Sequence, residues 1–328
     1  MYNPFMFPKT NYDTIVIGSG AGGLAAAVSL AQSGQAVLVI EQHEVAGGWC
    51  QSFTLEGYRF SPGVHYIGGL DRHGSLRATY KGLGVSNDLA FCELNPEGYD
   101  HIIVGEERFD IPKGKNRYIA KLISRFPHEE IGIQGFFDET QNLIGGMGRL
   151  KIPKNILQLK RQIKNIIPLF RWGFRTGQDL INRFVTDPLL RAILAGQSGD
   201  HGLPPSQVSA LIHAGIIHHY FDGGYFPKGG AFTIPRAFVR ALKKAGGEIL
   251  LETQVEKILL EGKRAVGVTI NGGHEIRATS IISNADPGVT YSRLIGVEKL
   301  SWRLRRKLKK THYSVSALSL FFAVDMDL

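Results

Sequence analysis

Cysteine is scarce in this chain of 328 residues: Cys50 and Cys92 are the only two, and they form no C-x-x-C or zinc-like spacing. A disulfide framework is not expected, and a reducing compartment fits. Long apolar runs are missing as well. None reaches the ~18 uninterrupted residues of a membrane-spanning helix. The opening stretch, MYNPFMFPKTNYD, has neither the basic region nor the apolar core of a signal peptide. These absences lead to the expectation of a cytoplasmic protein, not secreted and without a transmembrane helix. Acid is in short supply too: 29 Asp and Glu stand against 38 Lys and Arg, for a formal charge of +9. No recognition motif for nucleic acid accompanies that excess, so nucleic acid is the disfavoured partner. With 43% hydrophobic residues, the chain has material for one large domain or two ordinary ones.

The basic excess is concentrated. Residues 151–183 hold eight basic side chains (Lys151, Lys154, Lys160, Arg161, Lys164, Arg171, Arg175 and Arg183) against the single acid Asp179. Ile156, Leu159, Ile163, Ile167, Phe170, Trp172 and Phe174 are interleaved with them. That mixture suits a helix lying in a membrane interface, held by anionic lipid and shallow insertion. It suits an ordinary solvated helix packed on a domain equally well. Arg303 to Lys310, RLRRKLKK, is a shorter stretch of the same kind.

Glycine, by contrast, is plentiful at 40 residues, and its most informative use is in YDTIVIGSGAGGLAAAVSLAQSGQAVLVIEQHEVAGG, Tyr12 to Gly48. The apolar run Thr14 to Ile17 reads as a buried parallel strand. Gly18, Gly20 and Gly23 follow at G-x-G-x-x-G spacing, then a small-residue helix, Leu24 to Ser33. Gly18 permits the tight turn, Gly20 lets backbone approach a pyrophosphate, and Gly23 lets helix and strand pack closely. The helix start offers N–H groups and a positive dipole end to phosphates. A second apolar run, Ala36 to Ile40, ends in Glu41, 23 residues after Gly18, where a carboxylate can accept from a ribose diol. The spacing predicts a dinucleotide site on a Rossmann-like α/β fold. Gly47 and Gly48 past Glu41 look like the extended FAD signature of glutathione-reductase-like flavoproteins. The acid at Glu41 argues against a 2′-phosphate, and so against NADP, at this site.

Taken in order, residues 1–11 read as a loose tail and 12–75 as the first part of the FAD-binding domain. A hairpin is expected at Gln51–Leu55 and Tyr58–Ser61 about Glu56-Gly57, then a glycine-rich loop. Residues 76–222 read as an inserted, mostly helical substrate or cap region interrupted by a β-rich interlude, Phe91 to Ile111. The dinucleotide-domain pattern returns over 223–290. There a helix carries Ile234, Phe238, Ala241, Leu242 and Ala245 on one face and stops at Gly246. Strands follow at Glu248–Glu252, Val255–Leu260 and Ala265–Ile270, and a last one leads into Ser283-Asn284-Ala285-Asp286-Pro287. Residues 291–328 begin a second substrate segment, and SALSLFFAVDMDL reads as an alternating strand.

Together the Tyr12–Gly48 stretch, FSPGVHYIGG, HHYFDGGYFPKGG and ISNADP resemble the FAD-dependent retinol saturases, a group that includes carotenoid isomerases and bacterial-type phytoene desaturases. The histidine-containing GVHYIGG looks more like the saturase branch. The resemblance runs from about Tyr12 to the last residue. It implies a flavin enzyme that saturates, desaturates or isomerises a double bond of a long isoprenoid, as a peripheral protein of a membrane surface. Implied FAD contacts are Gly18, Ser19, Gly20, Gly22 and Gly23 at the pyrophosphate and Glu41 at the adenosine ribose. Gly47 and Gly48 would lie beside the cofactor, Val255 at the adenine through backbone, and Asn284 and Ala285 near the pyrophosphate or ribityl chain. NAD(P)H stays open as an external electron donor, since no second nucleotide fingerprint is present.

Two departures stand out. Ser61 occupies a position where many relatives carry an acid. Relatives also continue well past residue 328, so the expectation is a portion of such an enzyme, a chain working with a second polypeptide, or a homo-oligomer. Among single residues, His65 is the candidate catalytic group, placed to polarise a substrate or donate a proton. A histidine bonded within a glycine loop accounts for it equally, and the same holds for Tyr66. His213, His218 and His219 lack acidic or cysteine partners at ligand spacing, so no metal is expected. Cys50 reads as a buried thiol near the cofactor, and Lys228 as a solvated turn lysine.

Overall fold

The computed structural model of the protein describes residues 11–149 and 167–326. The chain opens with strand β1 (Asn11–Ile17), helix α1 (Ala21–Gln32) and strand β2 (Val37–Ile40). A hairpin of β3 (Phe53–Leu55) and β4 (Tyr58–Phe60) follows, then α2 (Ser75–Gly82). Next come β5 (Phe91–Glu93), β6 (Asp100–Val104) and β7 (Glu107–Ile111), the expected β-rich interlude. Helices α3 (Lys115–Arg125), α4 (Glu130–Arg149), α5 (Gly177–Phe184), α6 (Pro188–Ala195) and α7 (Ala210–His219) succeed them. The chain then runs through β8 (Tyr225–Pro227), α8 (Thr233–Lys244), β9 (Glu248–Leu250), β10 (Val255–Glu261), β11 (Arg264–Ile270) and β12 (His274–Ser283). A π-helical stretch, Val289–Gly296, and α9 (Trp302–Lys309) follow.

Six strands form one sheet in the order β10-β11-β12-β1-β2-β9, parallel from β12 to β9 and antiparallel over β10, β11 and β12. The sheet is covered on both faces, which is why β1 and β2 are apolar at almost every position. Val16, Val37 and Val39 point to the face packed by α1 and α8, against Leu24, Val28, Ile234, Phe238 and Leu242. Ile15, Ile17, Leu38 and Ile40 point to the other face, against Val255, Ile258, Val268 and Leu294. Each large side chain so buried stabilises the fold by roughly 1.5–3 kcal/mol. α1 comes close because its inner positions are small: Gly23, Ala27 and Ala31 are buried. A Cβ on Gly23 would lie 2.2 Å from the Gly18 carbonyl oxygen.

A separate core gathers residues from Tyr99 to Phe221, with Phe136, Phe137, Leu122, Ile133 and Trp172 fully buried. Buried Glu129 fastens α4 to the start of α6, accepting from the Thr186 N–H (2.7 Å), the Thr186 hydroxyl (2.5 Å) and the Asp187 N–H (2.6 Å). α5 begins at a capping box in which Thr176 and Asp179 bond each other's backbone N–H.

Two readings need correction. No strand forms at 316–326: the alternating apolar residues Leu318, Leu320 and Phe322 are exposed and the segment joins no sheet among the described residues. Alternation marks a face, but a strand also needs an edge to bond. Trp172, expected among the interface-seeking residues of the basic stretch, is instead 1% exposed and donates its indole N–H to Glu139 at 2.6 Å. Phe170 and Phe174 on either side are exposed. Residues 150–166 of that stretch lie outside the described residues. Among the described residues no helix is long and apolar enough to cross a membrane.

Candidate functional site

The carboxyl ends of the parallel strands open onto a cavity of about 670 Å³. Ligands of open α/β sheets sit at such ends, where the chain switches from strand to helix. Its floor is the glycine loop: Gly18, Gly20, Ala21 and Gly22 line it. Gly18 makes the turn out of β1 with φ +90°, a conformation that side chains with a Cβ rarely adopt. Gly20 precedes α1 with no side chain capping the helix and no acid in its first turn. The helix therefore presents first-turn N–H groups and a positive dipole end to the cavity. Gly48 (φ +56°) brings a second backbone segment alongside, so close that a Cβ there would lie 3.1 Å from the Gly20 Cα.

Glu41, 5% exposed, lies at the end of β2 on the cavity wall. Its Oε2 accepts from the Ser19 N–H at 2.8 Å and the Ser19 hydroxyl at 2.6 Å, and its Oε1 accepts from the His43 N–H at 3.0 Å. The Ser19 oxygen in turn accepts from the Gly47 N–H at 3.1 Å. These bonds aim the carboxylate and tie the glycine loop to the Gly47–Gly48 segment. A carboxylate has about four acceptor sites, so capacity remains for a ligand hydroxyl. Ser19 is wholly buried and does not line the cavity, and Gly23 lies beneath it as a packing glycine.

The opposite wall comes from the second half of the sheet. Gln254 and Val255 arrive where the Thr253 N–H donates to the Glu41 carbonyl at 2.9 Å. Asn284 and Ala285 arrive at the end of β12, with the Asn284 N–H bonded to the Ile17 carbonyl at 2.8 Å. The Asn284 side chain lies over the loop: a Cβ on Gly20 would be 2.7 Å from its Nδ2 and one on Gly22 2.8 Å from its Oδ1. Glycine at both positions makes room for that amide.

Nine of the residues expected at the site thus line one cavity: Gly18, Gly20, Gly22, Glu41, Gly47, Gly48, Val255, Asn284 and Ala285. Trp49, 79% exposed, and Arg293 also line it, and no motif announces them. Arg293 adds a cation from the π-helical stretch, a position visible only once β12 has been placed beside β1. Cys50 is on the wall, its thiol pushed up by burial. His65 does not line this cavity; it is exposed, two residues past Gly63, which packs on the Trp49 backbone. Tyr66 points the other way and bonds Asp100. His219 holds the His65 loop, its Nε2 accepting from the Gly68 N–H at 3.1 Å. His213 is buried beside His201, His218 packs on Phe221, and Lys228 is exposed.

A cradle of backbone that no Cβ could enter, an uncapped helix start, an acid at the end of β2 and a cation across the cavity together suit a dinucleotide with a pyrophosphate. Comparison with known proteins agrees. The chain is 33% identical over 330 residues to the all-trans-retinol 13,14-reductase of Danio rerio, covering 95% of this chain and 54% of that one. It is 28% identical over 301 residues to prolycopene isomerase 1 of an Oncidium hybrid cultivar, covering 88% of this chain and 51% of that protein. The chain thus spans about half the length of the curated relatives it matches. Its fold matches a crystal structure of a Pyrococcus furiosus protein with TM-score 0.65 at 21% identity, over 92% of this chain and 66% of the other. The model of the flavin-containing amine oxidoreductases matches residues 21–325. With that match and this cavity, the chain belongs to the flavin-containing amine oxidoreductase family, whose cofactor is FAD.

Proposed function

We propose that the chain forms the cofactor-binding part of an FAD-dependent oxidoreductase acting on carbon–carbon double bonds of a retinoid- or carotenoid-like polyene, by saturation or desaturation. The observation that carries this reading is the likeness to a retinol 13,14-reductase along 95% of the chain, with the cavity residues inside the matched length. Bound FAD would supply the hydride chemistry of such a reaction. The chain's own residues would bind and orient it. Backbone N–H groups at Gly20 and Gly22 would meet the pyrophosphate, with Gly18 and Gly23 shaping the turn and Asn284, Ala285 and Arg293 facing it. Ser19 would hold Glu41 on the adenosine ribose, Val255 would offer backbone to the adenine, and Gly47 and Gly48 would run beside the cofactor.

Residues 76–222 would cover the substrate, supported by their own core between Tyr99 and Phe221. NAD(P)H is the candidate external reductant. Membrane-surface binding is supported by α9, whose basic residues surround exposed Trp302. A redox-neutral isomerase is the second reading, favoured by the likeness to a prolycopene isomerase. The test is to incubate the FAD-loaded protein anaerobically with a chemical reductant and all-trans-retinol or a carotene, and to weigh the products. A gain of one hydrogen pair supports saturation. An unchanged mass with altered geometry moves the assignment to isomerase, and unaltered polyene from fully loaded protein counts against both.

A further inference from the structure

Beside the glycine-loop cavity, α9 and the π-helical stretch enclose a second cleft, of about 550 Å³. The two spaces share Asp286, Val289 and Arg293. Three cations line the cleft: Arg293 from the π-helical stretch, and Arg305 and Lys309 from α9. Arg305 and Lys309 stand four residues apart, so both project from one face of the helix. Among the described residues none of the three has an ion pair or a side-chain hydrogen bond. Elsewhere the chain does pair its arginines, Arg240 with Asp88 and Arg277 with Glu261, each at 2.9 Å. The cleft thus holds three positive charges with no anion of the chain bonded to them.

Its one carboxylate among the described residues, Asp286, is already engaged. Asp286 Oδ1 accepts from the Val289 N–H at 3.0 Å and from the Tyr313 hydroxyl at 2.9 Å. Glycine at 288 makes room for that second bond, since a Cβ there would lie 2.5 Å from the Tyr313 oxygen. Three cations less one carboxylate leave two positive charges. A phosphate monoester carries about −1.5 to −2 at neutral pH and matches that surplus, where a carboxylate would neutralise half of it. Guanidinium forks also suit phosphate oxygens in pairs. Val289, Val297 and Leu308 give the cleft an apolar side, and its volume is that of pockets holding whole organic ligands. Trp302, 62% exposed, stands about one turn before Arg305.

We propose that this cleft is a binding site for a phosphate monoester on an apolar stem, with Arg305 and Lys309 holding the phosphate. That chemistry belongs both to a phosphatidic acid in a bilayer and to a soluble phosphate ester. The site needs neither FAD nor a polyene, so it goes beyond the reading above. Where the source is a bilayer, it deepens the membrane-surface reading of α9 by naming the lipid, with Trp302 entering the interface beside the bound headgroup. Arg293 stands between the two spaces, so a phosphate held here is a neighbour of the cofactor cavity.

The probe is a short-chain, fully soluble phosphatidic acid, titrated calorimetrically into the full chain at ~0.15 M salt. Wild type is expected to bind it, and Arg305→Gln/Lys309→Gln to bind at least ~10-fold more weakly. Arg306→Gln/Lys307→Gln removes the same charge from the same helix at positions that do not line the cleft. That pair is expected to stay within about 2-fold of wild type, because exposed charges off the site are screened. Equal weakening in both pairs shows diffuse attraction to a basic helix and overturns the proposal. So does a folded wild type that takes up no probe, or one that binds inorganic phosphate as tightly. Vesicles of phosphatidylcholine, with and without phosphatidic acid, then separate the sources. Capture that requires phosphatidic acid together with Arg305 and Lys309 supports the site with a bilayer lipid in it. Binding of the soluble probe without vesicle capture supports the site with a soluble ester. Vesicle capture lost equally in the two pairs keeps the membrane-surface reading and overturns the cleft.

Discussion

At the scale of single residues the site rests on a few close approaches. Gly23 has no room for a Cβ, since the Gly18 carbonyl would be 2.2 Å away. Gly23→Ala is therefore expected to destabilise the protein by about 1–3 kcal/mol through overpacking, read from urea unfolding midpoints. An unchanged midpoint would show that α1 can move off the sheet without penalty. Glu41→Gln replaces an acceptor facing the Ser19 N–H and hydroxyl with an amide that has a donor end. It is expected to cost about 1.5–3 kcal/mol of stability. FAD affinity should fall alongside it in a fluorescence titration; full affinity would separate Glu41 from the cofactor. The glycines and Glu41 were legible in the sequence because a turn, a close approach and a strand-end acid each demand a residue type at a fixed offset. Ser19's bond to Glu41 and Arg293's place across the cavity were not. Each joins residues whose separation along the chain carries no periodic signal.

At the scale of elements, periodicity located most helices and strands within a few residues. The helix from Thr233 appears as expected, closing before Gly246 at φ +84°. α1 begins at Ala21 rather than Leu24, because the glycines of the loop already belong to its first turn. The failures share a cause. Alternation alone predicts a strand at residues 316–328, but among the described residues no edge receives 316–326. The basic stretch suits a lipid-facing stripe or a helix packed on a domain, and for Trp172 the structure shows the second, with Glu139 offering its indole a partner in the core. Local pattern shows that a face is apolar and leaves open what covers it. Caps, by contrast, are local devices. Thr176→Ala at the start of α5 removes the hydroxyl that accepts from the Asp179 N–H at 3.1 Å. The expected loss is about 1 kcal/mol in urea unfolding, with Thr176→Ser retaining most of it. Equal losses in both variants would argue against the cap as the source.

At the scale of the whole molecule, the core around Phe136 and Phe137 also holds a titratable group. Burial pushes His213 down to about 4, with His201 adding to the effect and a bond to the Leu194 backbone opposing it. Above the ordinary 6.5 the imidazole is neutral in both states. Between 6.5 and about 4 the unfolded chain binds a proton that the folded one refuses, so stability falls as pH drops through that window. The loss should reach roughly 3 kcal/mol, and His213→Leu should flatten this limb of the stability–pH curve. A variant that keeps the full slope would place the acid sensitivity elsewhere.

The central claim for the molecule is that the sheet ends, glycine loop and Glu41 described here form an FAD site within this chain. Its most direct test is the visible absorption spectrum of the purified protein after incubation with FAD and gel filtration. The account predicts flavin bands that elute with the protein in stoichiometric amount and weaken markedly in Glu41→Gln. A folded protein that emerges colourless would contradict it.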